Sequence, residues 1–120
     1  MIYTAASRAL ACLESVVHRS RRGIIGEYKV MLIEIPSQLK IEKISFEDLP
    51  ENWFTYQHLE ICNKIGDRWL RKKNSGVLKV PSAIILNEFN YLINPEHPDF
   101  KKIKLSRIED FRFDPRIISN

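Results

Sequence analysis

Cysteine is scarce in this chain: its 120 residues hold two, Cys12 and Cys62, far apart and each in apolar surroundings. Two thiols so placed give neither a disulfide framework nor the ligand spacing of a metal site, and they point to a reducing compartment. Long hydrophobic runs are missing as well. No segment approaches the roughly 18 consecutive apolar residues that mark a bilayer span. The opening MIYTAASRALACLESVV lacks the charged leader and cleavage site of a secretory signal. A cytoplasmic protein with no membrane attachment is therefore expected. The absence of low-complexity runs and internal repeats excludes a solenoid.

A large charge excess of one sign is also lacking. Nineteen Lys and Arg against fifteen Asp and Glu leave a net charge of +4 and a pI near 9.2. The basic letters fall in three small groups, RSRR at 19–22, RWLRKK at 68–73 and KKIK at 101–104. No zinc-finger or other nucleic-acid signature accompanies them, so they read as solvated surface, two of them near helix C-termini, and direct nucleic-acid binding is not expected. What is present is an ordinary globular mixture, 44% hydrophobic and 28% charged. One domain of this length takes roughly two thirds of its unfolded surface out of water, so a real core is available.

Periodicity sketches the elements. Residues 5–20 carry a helical repeat, with Ala6, Ala9, Leu10, Leu13, Val16 and Val17 on one stripe. Glu14 plots at the edge of that stripe, on a neighbouring face with Ser7, Ala11 and His18, so small side chains leave room beside a carboxylate. The basic group and Gly23 are expected to end the helix. EYKVMLIEIP reads as a strand stopping at Pro36, and LKIEKI at 39–44 as a shorter one. Residues 45–57, with proline and four aromatics, read as an ordered loop, and His58 to Lys73 as a second helix with Ile61, Cys62, Ile65 and Trp69 inward. The letters NSG break that helix, VLKVPSAIIL is extended with Pro81 arguing for an edge or a bulge, an Asn-rich loop follows, and KIKLSRIEDFRF closes the chain as a strand or two. The fold class expected is α/β or α+β, a mixed sheet with flanking helices.

The polar letters of VPSAIILNEFNYLINPEHPDF, residues 80–100, interrupt an apolar stretch. In one regular strand over 77–86, Ser82 would point inward and need a partner, which a bulge at Pro81 would supply. Asn94 and His97 each precede a proline and are driven into extended backbone, while Asn90 could cap a turn. Taken alone, the pattern indicates a polar loop held against an apolar sheet.

The string YTAASRALACLESVVH, followed in order by DLPENW, GDRWL, LKVPSAII, NYLINPEHPDF and FRFDPR, resembles the RES-domain family, toxins of bacterial toxin–antitoxin pairs. The resemblance covers nearly the whole chain and implies a fold related to ADP-ribosyltransferases. The implied activity breaks down NAD at the nicotinamide–ribose bond, by phosphorolysis or hydrolysis, with NAD as substrate and no resident cofactor; protein ADP-ribosylation occurs in some members. Carried over residue by residue, it implies catalytic roles for Tyr3, Glu14 and Ser82, and a substrate-binding loop with Asn90, Asn94 and His97. The implied partner is an Xre-like antitoxin that inserts a terminal segment into the active site. Family members also carry, ahead of the tyrosine, a segment with arginine, glycine and a tryptophan–asparagine pair. No residue of this chain stands at those positions, so residues 1–120 are expected to form a RES domain N-terminally truncated relative to the family. That leaves an exposed sheet edge suited to pairing with another chain, room for an oligomer, and an alternative in which an impaired remnant acts as an antitoxin-binding protein.

Overall fold

The computed structural model describes residues 1–18, 27–55 and 59–117. The basic group at 19–22 and Gly23, expected to end the first helix, lie outside the described residues, as does His58 at the start of the second. In chain order the elements are β1 (Ile2–Ala5), α1 (Arg8–His18), β2 (Tyr28–Glu34), β3 (Ile41–Lys43), α2 (Leu59–Lys72), β4 (Val77–Pro81), β5 (Phe89–Ile93) and β6 (Lys104–Phe111). Short 3-10 turns occupy Phe46–Asp48, Pro98–Lys102 and Pro115–Ile117.

The strands form a four-stranded sheet in the order β1-β5-β4-β3 and a separate ribbon of β2 and β6. Only β3 and β4 run parallel, and α2 makes the crossover that a parallel pair requires. The fold is thus α+β, with a mixed sheet and two helices. Leu78 and Leu92 face each other across β4 and β5 and bury against Trp69 of α2, with Ile44, Leu70 and Val80 packed around them. Asn90, two residues from Leu92, shares its face of β5 and bonds to Glu14 of α1. Both helices therefore lie on one face of the sheet.

Two strands are absent from the periodicity reading. β1 occupies residues assigned to no element or to the start of the helix, and β5 runs through what reads as an Asn-rich loop. α1 begins at Arg8 instead, because the Ser7 hydroxyl accepts the Leu10 N–H at 3.1 Å and caps the first turn. Its buried line passes through Leu10 and Glu14, while Ala6, Ala9 and Val17 of the expected apolar stripe are exposed. The cause lies on the sheet, where polar partners draw the carboxylate inward.

β4 ends at Pro81 and does not continue to residue 86. The Lys79 carbonyl accepts from Ile44 on the β3 side, and β3 has run out two residues later. Pro81 thus lacks an N–H only where no strand would receive it, which is the local edge its presence implies.

The loop after β5 is built by Asn94 and His97. The Asn94 N–H donates to the Gly76 carbonyl at 2.9 Å and its Oδ1 accepts from the Glu96 N–H at 3.0 Å. His97 Nδ1 accepts the Asp99 N–H at 3.0 Å, and Nε2 lies 3.1 Å from the Lys73 carbonyl at the end of α2. A Cβ at Gly76 would sit 3.1 Å from His97 Nδ1 and 3.2 Å from the Asp99 Cβ, so a larger residue there would press the His97 ring and the Asp99 side chain back by a few tenths of an ångström.

Leu92→Ala removes the centre of the Trp69–Leu78–Leu92 cluster and is expected to destabilise the fold by about 2–5 kcal/mol. Met31→Ala, on the exposed face of the ribbon, is expected to stay within about 0.5 kcal/mol. Urea unfolding followed by circular dichroism measures both.

Candidate active site

Beside α1, between the β1 edge of the sheet and the β2–β6 ribbon, lies a cleft of about 690 Å³, within the usual range of roughly 300–1,000 Å³ for small-molecule sites. Its walls include Tyr3 of β1, Ser7, Ala11 and Glu14 of α1, Asn90 and Tyr91 of β5, and Tyr28 to Ile33 of β2. The small side chains at 7 and 11 are the ones the sequence places beside Glu14, one and two turns from it, and they leave its face of the helix open.

Glu14 is buried, with 9% of its surface exposed. Its Oε1 accepts two hydrogen bonds, from the Ser82 hydroxyl at 3.1 Å and from Asn90 Nδ2 at 2.8 Å. Burying a carboxylate is costly unless such donors replace water. The same Nδ2 group donates to the Tyr3 hydroxyl at 3.1 Å. Tyr3, Glu14, Ser82 and Asn90, separated by up to 87 positions in sequence, thus form one connected group.

Each member has a different capacity left. The Ser82 oxygen accepts the N–H groups of Ile84 and Ile85, both at 3.1 Å, while its proton goes to Glu14. A hydroxyl offers one donor and two acceptor sites, so Ser82 is fully engaged within the protein. It stands just past Pro81, where its N–H donates to the Glu88 carbonyl at 2.8 Å and closes the 82–88 loop. Asn90 is wholly buried, and among the described residues its Oδ1 is the buried side-chain atom without a hydrogen-bond partner. Tyr3 is 58% exposed as a residue, but its hydroxyl is the end that reaches the buried amide.

Asn94 and His97 do not join this group. Both belong to the loop under the α2–β4 turn and line no part of the cleft. Asn90 lies on a strand and not in that loop. Its distinction from Asn94 carries no signal in the letters beyond its position two residues before Leu92, on the side of β5 that faces the helices.

Among the described residues the cations on the cleft wall are Arg8 and Lys29, which pair with Glu109 and Asp110 of the ribbon. Burial pushes the Cys12 and Cys62 thiols up, which favours the protonated form over the nucleophilic thiolate. Among the described residues no cluster of three or more His, Cys, Asp or Glu side chains could hold a metal ion, and no helix is long and apolar enough to cross a membrane.

Burial first, and then the Glu14 carboxylate, hold the Tyr3 hydroxyl above the ordinary tyrosine value of 10.0, against an opposing contribution from Asn90. The folded chain therefore keeps this proton at a pH where the unfolded chain has begun to lose it, and stability falls as pH rises above about 10. Spectrophotometric titration is expected to show a late-titrating tyrosine that disappears in Tyr3→Phe and moves down in Glu14→Gln. An unchanged profile in both variants would contradict this coupling.

A family model for the RES domain matches residues 1–114. The Prs ADP-ribosylating toxin of Sphingobium sp. is 37% identical over 120 residues, which cover 98% of this chain and 74% of that protein. Toxin Res of Yersinia enterocolitica is 36% identical over 118 residues, covering 97% of this chain and 76% of its own length. Toxin Res of Photorhabdus laumondii is 32% identical over 118 residues, with coverage of 98% and 75%. A family match across almost all of the described fold, together with relatives that align along nearly the full chain and are named as toxins, means that this chain belongs to the RES domain family.

Proposed function

We propose that this chain is a RES-type toxin of a toxin–antitoxin pair and that it cleaves the bond between nicotinamide and ribose in NAD, by phosphorolysis or hydrolysis. The observation that supports this reading best is a buried carboxylate, Glu14, held by two donors at the wall of a cleft of about 690 Å³. When the glycosidic bond breaks, its electron pair leaves with the pyridine nitrogen as neutral nicotinamide. Positive charge then builds on the sugar, as in glycoside hydrolysis, and a fixed carboxylate beside it stabilises the transition state. An oxygen of phosphate or water closes the new bond at the sugar carbon and gives up its proton.

Glu14 takes the role of that carboxylate. Ser82 and Asn90 keep it in place through Oε1, and because its hydrogen-bonding capacity is filled, Ser82 acts through Glu14. Tyr3 offers a ring face to the nicotinamide and a hydroxyl for a polar contact. The pairs made by Arg8 and Lys29 are exposed and individually weak, so they can yield to an anionic substrate. NAD is the substrate in this reading. Protein ADP-ribosylation is the second reading, favoured by the relative named as an ADP-ribosylating toxin. It shares the bond broken and differs in the acceptor. An Xre-like antitoxin is the partner we infer, on the sequence resemblance.

The test is NAD consumption by the purified chain, with and without phosphate. Glu14→Gln is expected to lower the rate by at least about a hundredfold, the scale for removing a charge-stabilising group, with an unchanged circular dichroism spectrum. Tyr3→Phe is expected to lose less than Tyr3→Ala, since it keeps the ring. Absence of NAD loss from folded wild-type chain, alone and with candidate protein acceptors, would overturn the catalytic reading in favour of an antitoxin-binding protein.

A further inference from the structure

We propose that Asn90 selects an uncharged carboxamide over a carboxylate on the base of the bound nucleotide, its Oδ1 accepting from the amide NH2 while the Tyr3 hydroxyl donates to the amide oxygen. The proposal rests on the reading of the cleft as an NAD site and assigns the contacts that recognise the nicotinamide group.

Asn90 is fixed in orientation by its neighbours. Its Nδ2 donates both to Glu14 Oε1 at 2.8 Å and to the Tyr3 hydroxyl at 3.1 Å. Turning the amide over would set Oδ1 against the carboxylate, so the hydrogen-bond network itself assigns the two ends. The Oδ1 atom then has no partner among the described residues and is closed off from solvent. A buried acceptor left in this condition is unfavourable and is satisfied by an N–H donor arriving with a ligand. Tyr3 lies on β1, the terminal strand of its sheet, and is largely exposed, so a small shift of its ring admits that donor while its hydroxyl stays beside the Asn90 amide.

The second contact follows from the same bonds. The phenolic oxygen of Tyr3 accepts from Asn90, which leaves its own proton to be donated elsewhere. Tyr3 and Asn90 thus present one donor and one acceptor at adjacent points, the pattern complementary to a primary carboxamide. A carboxylate in that place supplies no donor to Oδ1 and brings a negative charge close to Glu14. The upward shift of the Tyr3 hydroxyl, caused by burial and then by Glu14, reports the same resistance to a second anion.

The measurement is binding of nicotinamide, nicotinic acid and methyl nicotinate to the full chain at pH 7, followed by ligand-observed NMR. Methyl nicotinate keeps the carbonyl and has no N–H to donate. Nicotinamide is expected to bind about tenfold or more tightly than either analogue, because sites that rely on a substrate N–H reject ligands lacking it. A folded Asn90→Ala variant is expected to bring the three within about threefold. The analogue series on unaltered protein keeps the test decisive if that variant does not fold. Equal binding of nicotinamide and methyl nicotinate, or no binding of nicotinamide, overturns the proposal. Consumption of NAD beside its nicotinic acid counterpart separates this proposal from the reading it rests on. Equal consumption of both dinucleotides defeats the selectivity alone. Selective nicotinamide binding without turnover defeats the catalytic reading alone.

Discussion

A carboxylate taken out of water needs donors, and the position of Glu14 makes that need a constraint on the whole sheet. Ser82, just past the end of β4, and Asn90 of β5 both donate to it. α1 therefore docks with a charged residue facing inward, and Ala6, Ala9 and Val17 are left outside. Ser82 can reach the carboxylate because β4 stops at Pro81, and the turn that follows fixes its hydroxyl by two backbone N–H groups. A strand end, a helix orientation and an interior strand thus all meet at one oxygen atom.

The apolar core sits on the same face but under α2. Trp69 donates to Ser75 at 3.0 Å, and the Ser75 hydroxyl lies 2.7 Å from Glu42 on β3, so the helix is tied to the sheet by polar contacts at its C-terminal end as well as by burial. Packing there positions β4 and β5, and β4 and β5 position the donors of Glu14. The division is physical: hydrophobic area near α2 supplies stability, while near α1 the same sheet gives up apolar contact to hold a charged group.

Much of this is legible in the sequence, and the exceptions share a cause. α2 and β2 follow from spacing, because an amphipathic helix and an alternating strand carry their period in the letters, whereas Glu14, plotted at the edge of the apolar stripe, lies on the buried line of α1. β5 does not, since Asn90 and Asn94 interrupt its pattern and asparagine reads as a turn former. Its place is set by pairing with β1 and β4, contacts between residues far apart in sequence. The same limit hides the difference between the two asparagines. Asn94 folds a local turn onto Glu96, whereas Asn90 bonds to residues 76 and 87 positions away. For Tyr3 and Ser82 the resemblance to a family singled out two residues that the structure joins to Glu14 and Asn90 by hydrogen bonds, where composition and periodicity alone did not.

Among the described residues the four-stranded sheet and the β2–β6 ribbon share no strand pairing, although both contribute walls to the cleft. The spacing between those walls is set by side chains such as Arg8 and Glu109, with no ladder of backbone bonds joining them. Widening the cleft therefore breaks exposed contacts that water readily replaces and leaves both sets of strand pairs intact. The molecule thus carries a seam along the cleft, where opening would leave both sides folded.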